Sequence, residues 1–273
     1  MTLQNKIDFA VILRVKNANP NGDPLNGNRP RTDYSGVGEI TDVAIKRKIR
    51  DRLLEKGYPI FVQSDDRKND DATSLQDRAD KAFKAPGKKL SKETACEAWF
   101  DVRAFGQVFA FKSKDKKAGD GVSIPVRGPV SIQSAFSTEP VNVTSTQITK
   151  SVSGEGDGTK RGSDTMGMKH RVDNGIYVFK GSMNPQLAER TGFSDADAAV
   201  LKDVLPKLFE NDASSARPEG SMEVLKVFWW QHNSKGGQYS SAKVHQTLQD
   251  IKPDGSFELA ALDGLQVEIL DGF

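Results

Sequence analysis

Three histidines and two loop carboxylates are the groups with which this chain could move a proton near neutral pH. His170 stands between Lys169 and Arg171, so a metal-independent cleavage of a phosphodiester would find its base and its phosphate-binding cations in one tripeptide. His232 and His245 have no such company. None of the three lies in an HExxH, HxH or Cys-pair context, so no metal site is expected. No cofactor is expected either, since the chain has neither a Walker A loop nor a G-x-S-x-G elbow. Asp23 and Asp33 are the other route to catalysis, because both lie in a polar loop beside a basic helix. Isolated loop aspartates usually make turns. The expectation is therefore binding without catalysis.

Binding chemistry is denser. Residues 17–56 run from a long Asn/Pro/Gly/Asp loop into a helix that carries six Lys/Arg. Loops of that length are uncommon in compact domains unless they serve a function. Thr41 is the expected N-cap, with Asp42 on the positive end of the dipole. Ile45, Ile49 and Leu53 recur every four residues and form the packing face. Lys46 and Arg50 form the adjoining ridge, with Arg47 beyond them. That would place two or three cations beside Asn19 and Asn21 of the loop, a surface for a polyanion such as RNA. A solvated face, partly neutralised by Asp42, Asp51 and Glu55, is the competing reading. A second unusual stretch, residues 150–175, has six glycines and the basic residues Arg161, Lys169, His170 and Arg171 around Met166 and Met168. Such a loop could wrap a flexible strand, its cations on phosphates and a thioether wedged between bases. A surface loop without function is the alternative.

The elements that would position these groups follow from periodicity. Residues 7–16 read as a buried strand, and residues 222–231 as the strongest strand, with Trp229 and Trp230 packed in the core. Residues 63–94 read as a charged surface insertion holding one helix from Ser74, closed by Pro86 and Gly87. The aromatic alternation of residues 99–111 reads as a strand, which would put Arg103 on a sheet, as Arg127 is after it. Pro125 and Pro129 confine the next segment to an edge or bulge. Ser194 caps a helix, and residues 257–270 form a hairpin-like end. This order predicts an α+β fold of βαββαβ, ferredoxin-like type with large insertions, which is also the RNA-recognition-motif architecture. One domain spans residues 1–273.

With 39 Lys/Arg against 37 Asp/Glu, the net charge is only +2, so a basic site must come from local clustering. Mean hydropathy is −0.55. The single Cys96 excludes an internal disulfide, and no segment reads as a leader or a membrane span. A soluble cytoplasmic protein is expected.

Several stretches together resemble a known family. NPNGDP with TDVAIKRKIRD, then DVRAFG, RGPVSIQSAFSTEPV and TSTQITKS, then TMGMKHRVDNGIYVF, TGFSDADAAVL and SSARPEGSMEVLKVF are similar to the backbone subunit of type I-C CRISPR Cascade. That subunit is the Csd-type branch of the Cas-seven family within the RAMP superfamily. The resemblance implies a modified RNA-recognition-motif palm, with residues 57–98 as finger-like and 141–175 as thumb-like insertions. It implies a non-catalytic protein that polymerises head-to-tail along the spacer of a crRNA and presents it to target DNA. Implied partners are further copies of itself, a Cas-five-type subunit, and the large and small Cascade subunits, with no membrane. By motif, Lys46 and Arg50 match palm-helix positions that grip phosphates, and Met166, Lys169 and His170 match the TMGxKH block. Met168 departs from that block, where a basic residue is expected, and Asp173-Asn174 departs from a Pro-containing turn. Related subunits of type III complexes cut target RNA with an Asp in the equivalent loop, which keeps Asp23 and Asp33 as the alternative.

Overall fold

β1 (Ile7–Ala18) organises the molecule: eight of its first nine residues are buried, so both of its faces carry core. The computed structural model describes residues 1–84, 89–110, 123–149 and 166–273. After β1 the polar loop holds a short ladder of β2 (Gly22–Asp23) and β3 (Arg29–Pro30), then β4 (Val37–Ile40) and α1 (Asp42–Glu55). Three short helices follow, α2 (Leu75–Ala82), α3 (Lys92–Ala98) and α4 (Phe100–Phe105), then a ribbon of β5 (Gly106–Ala110) and β6 (Ser123–Arg127). Next come β7 (Val130–Ile132), β8 (Ala135–Pro140), β9 (Val143–Thr149) and the 18-residue β10 (Met166–Met183). The chain ends with α5 (Pro185–Thr191), α6 (Asp195–Val204), β11 (Met222–Gln231), α7 (Ser241–His245), β12 (Leu248–Gln249), β13 (Glu258–Leu259) and β14 (Val267–Asp271).

The fold is mixed α and β around an antiparallel sheet ordered β14-β11-β1-β10-β8-β4, with β7 and β9 also paired to β10. The period-2 alternation of a strand sorts β1 between two cores. Ile7, Phe9, Val11, Leu13 and Val15 meet α1 and α6 through Ile45, Ile49, Leu53, Ala198 and Leu201. Ala10 and Ile12 face the opposite way, against Ile176, Phe228, Trp230, Val244 and Leu248. Both sheet faces are thus covered in their centre. Trp229 and Trp230 are 3% and 2% exposed, one in each core, as the sequence led one to expect.

Four expectations are corrected. Residues 99–105 are not a strand. Phe100 and Ala104, four apart, face the main core, while Trp99 and Val102 face a satellite core, so the apolar run fits a short helix equally well. The helix stops at Gly106, whose φ of 82° and close approach to Val126 O exclude a side chain. Arg103 is therefore helical, and its guanidinium pairs with Asp197 at 2.8 Å. The charged stretch after residue 62 holds two helices rather than the one expected. α2 and α3, capped by Ser74 and Ser91, enclose Phe61, Ala79, Ala95, Cys96, Trp99, Phe109 and Val126. Pro86 and Gly87 lie outside the described residues. Residues 257–270 are no hairpin: β13 pairs with β12, whereas β14 extends the main sheet beside β11. Finally, residues 166–175 are the first part of one continuous strand, while 150–165 lie outside the described residues.

Candidate nucleic-acid interface

α1 begins as its sequence requires, with the Thr41 hydroxyl accepting from Ala44 N. The fate of its cations is less local. Lys46 Nζ lies 2.8 Å from Asp42, one turn back. Arg47 bonds Asp51 at 3.2 Å and the Val62 carbonyl at 2.6 Å. Lys48 Nζ reaches both carboxylate oxygens of Asp212, at 2.5 and 2.6 Å. Arg50 Nε donates to Asp101 at 2.9 Å, with the guanidinium over the Phe105 ring. Arg52 pairs with Glu55, and Lys56 with Asp203. Burial pulls the pKa of Lys48 and of Arg50 down, and Asp212 and Asp101 respectively oppose that fall. Each cation of the basic helix thus has a carboxylate partner within the chain. The expected ridge of Lys46 and Arg50 beside the loop does not form: Arg50 is 9% exposed and turned to α4.

The loop is also internally committed. Asn19 Nδ2 donates to the Asn28 carbonyl at 2.7 Å. Asn21 Oδ1 accepts from both Thr41 N and Thr41 Oγ1 at 2.9 Å, tying the loop to the start of α1. Asp23 caps a 3-10 turn by accepting from Leu25 N, and lies 3.4 Å from Arg31. Asp33 accepts from Ser35 N and Val37 N at 2.8 and 2.9 Å. Both aspartates make turns.

Lys46 and Arg127 do come together, in a cavity of about 770 Å³ between α1, α3, the β5–β6 ribbon, β7 and α5. Lys92 from the first position of α3 and Arg190 from α5 line it as well. Among the described residues its lining holds four cations and no carboxylate, with Ser131 and Ser182, cross-strand partners on β7 and β10, among its polar groups. A concave surface with one sign of charge concentrates anions. Sequence reasoning missed Arg190, on a helix it did not read, and left Lys92 within the charged surface insertion of residues 63–94. Neither carries a periodic signal, because the groove is made by packing elements far apart in the chain.

The remaining expected residues are on an arm. Residues 166–171 of β10 pair with β9 alone among the described strands. Met166 and Met168 are 66% and 55% exposed there. His170 Nδ1 lies 2.9 Å from Ser145 Oγ, which also accepts from Arg29 of the polar loop at 2.7 Å. Arg171 pairs with Asp173 at 3.3 Å. Arg161 lies outside the described residues. Ser182, in the groove, is fourteen residues along β10 from Met168, so groove and arm stand at most about 46 Å apart at 3.3 Å per residue. Groove and arm are thus two surfaces at opposite ends of one strand.

A family model for CRISPR-associated protein Cas7 matches residues 5–269. The chain belongs to that family. A CRISPR-associated protein Cas7 from Haloferax volcanii is 28% identical over 296 residues, covering 99% of this chain and 82% of its own. A solved chain of a CRISPR RNA-guided surveillance complex in a pre-nicking state is similar at 15% identity and a TM-score of 0.48, over 82% of this chain and 78% of that one. Another surveillance-complex chain is similar at 16% identity and a TM-score of 0.47, over 95% and 77%.

For this Cas7-family chain the other two histidines are structural. His232 Nε2 and Asp8 Oδ2 are 2.9 Å apart, and His232 Nδ1 accepts from Gln238 N at 2.9 Å, which places the ring proton on Nε2. Lys6 Nζ lies 3.0 Å from the same Asp8 oxygen. His245 Nε2 lies 3.1 Å from the Gly181 carbonyl. Among the described residues, no group of three or more His, Cys, Asp or Glu is placed to hold a metal ion, and no helix is long and apolar enough to cross a membrane.

Proposed function

We propose that this chain is a non-catalytic backbone subunit of a CRISPR RNA-guided surveillance complex, binding crRNA in several copies and presenting it to target DNA. The observation that carries this reading is a groove lined, among the described residues, by four cations and no carboxylate, in a chain that matches the Cas7 family almost end to end. Lys46, Lys92, Arg127 and Arg190 would hold RNA phosphates, and Met166, Lys169, His170 and Arg171 would engage RNA from the arm. Arg161 belongs with the arm set by its sequence. Arg47, Arg50, Asn19 and Asn21 act behind that surface, by fixing α1 and the loop. The strand order β11-β1-β10-β8, with α1 and α6 on one face, supports a modified RNA-recognition-motif palm. Both central sheet faces are covered, so bases do not stack on the sheet as in the plain motif. Residues 57–98 and 141–175 are then finger and thumb. The sequence motifs support the type I-C branch, with a Cas-five-type subunit and large and small subunits as neighbours.

The test is RNA loading. Purified wild type should carry spacer-length RNA, with affinity insensitive to spacer sequence. Lys46→Ala with Arg127→Ala should reduce loading and flatten the dependence of log K on log salt by about 1.4, at about 0.7 per lost single-strand phosphate contact. Unchanged loading and slope would overturn the assignment of the groove. Incubating the assembled complex with complementary RNA and Mg²⁺ tests catalysis; periodic cuts abolished by Asp23→Ala or Asp33→Ala would replace the scaffold with a ribonuclease.

A further inference from the structure

The arm carries two exposed thioethers whose redox chemistry goes beyond contact with RNA. Met166 and Met168 are two residues apart on β10 and so share one face. Their exposures of 66% and 55% set them, with the terminal Met1, apart from Met183 and Met222, at 0% and 8%. Gln147, across the ladder on β9, donates its amide to Met166 Sδ at 3.4 Å, a bond that takes one of the sulfur's two lone pairs. Because residues 166–171 are outside the β1 ladder, which begins at Val172, a polar change there leaves both cores intact.

We propose that Met166 and Met168 are a reversible oxidation site, which takes oxygen from a peroxide and thereby loosens the arm's hold on nucleic acid. This rests on the reading of the arm as an RNA-contacting surface. The thioether lone pair attacks one peroxide oxygen, the O–O bond breaks and an S–O bond forms. The departing oxygen leaves as water, so sulfur loses two electrons and the peroxide gains them. The product is a polar, chiral sulfoxide in place of a flexible apolar group, and sulfoxide reductases reverse it. Its oxygen is also a better acceptor for the Gln147 amide than sulfur, which holds the modified side chain against β9 instead of a base.

The experiment treats the full chain with hydrogen peroxide, maps each methionine by peptide mass, and measures RNA affinity before and after. Sulfoxide should appear at Met166 and Met168 before Met183 and Met222. Affinity should fall about tenfold, the loss of one stacking-type contact, and return after treatment with both sulfoxide reductases. Met166→Leu with Met168→Leu should show no change on peroxide treatment relative to its own untreated affinity. Earlier oxidation of Met183 or Met222 would overturn the site. Unchanged affinity with both sulfoxides present, or a Leu variant that still loses affinity, would overturn its effect. Untreated wild type that fails to bind RNA would overturn the function proposed above, while the mass map still decides the site.

Discussion

Arg50→Ala separates two roles for the basic helix. If Arg50 grips RNA at the surface, its removal costs loading and leaves stability alone. The structure requires the reverse. Asp101 is 1% exposed and accepts from Arg50 Nε, Phe61 N and Val62 N at 2.9, 2.7 and 3.0 Å. Removing one partner of a buried ion pair costs about 3–5 kcal/mol, because a desolvated charge is left behind. The two remaining N–H donors hold the carboxylate toward the lower end, about 3 kcal/mol. Loss of the guanidinium over Phe105 adds about 0.5–1 kcal/mol. At about 2–4 °C per kcal/mol for a chain near this size, Tm should fall by about 7–16 °C. Lys46→Ala removes only a partly exposed pair with Asp42, worth about 0.2–1 kcal/mol. Thermal melts and RNA loading on both variants give the comparison. Asp101→Asn in the Arg50→Ala background removes the stranded charge but leaves one acceptor oxygen for two amides that bond different carboxylate oxygens, so it should recover less than about 1 kcal/mol. An Arg50→Ala protein that melts within about 2 °C of wild type and loses RNA would refute this reasoning.

Three further perturbations test the fold. Gly38→Ala would set a methyl 2.3 Å from the buried Tyr177 hydroxyl, so overpacking should cost about 1–3 kcal/mol in a melt. Burial lowers the His245 pKa below 6.5, against an opposing pull from Asp8, while Lys180 and Lys6 add to the lowering. The unfolded chain therefore takes up a proton below pH 6.5 that the folded one refuses, so this stability is present at pH 7.5 and declines as pH falls toward the folded pKa. Urea midpoints should drop from pH 7.5 to 5.5, and His245→Gln should flatten that drop. Burial also pushes the Cys96 thiol up to about 11, so a thiol reagent at pH 8 should label the protein only as it unfolds.

What the sequence made legible was what local periodicity and capping determine. β1, the Ile45–Ile49–Leu53 face, the Thr41, Ser74 and Ser194 caps, and the buried Trp229 and Trp230 all depend on neighbours within a turn or a strand. The partners of the basic helix divide along the same line. Asp42, Asp51 and Glu55 were visible three or four residues away, but Asp101, Asp203 and Asp212 are 51, 147 and 164 residues from the cations they hold. A cation count along one helix could not reveal that most of that charge is spent on folding. Conversely, the groove draws a single cation from each of four elements, so no stretch of sequence looks basic on its account.

That division also bears on the kind of ligand the chain can take. A small anion would be satisfied by the groove alone and would give the arm no part. A ligand that meets both surfaces of one copy extends over a distance of up to about 46 Å, the length of fourteen strand residues. An alternative is that the arm of one copy and the groove of another meet the same ligand, which makes the copies neighbours along it. Either arrangement needs a polymer with regularly spaced negative charge. In the first, a chain lacking the arm residues binds short RNA in the groove as well as wild type does. In the second, short RNA also binds, but copies fail to accumulate on a long one. Measuring the affinity of a single copy for an RNA just long enough to reach from groove to arm separates the two: Lys169→Ala with Arg171→Ala weakens it in the first arrangement and leaves it unchanged in the second, where only the number of copies held on a spacer-length RNA falls.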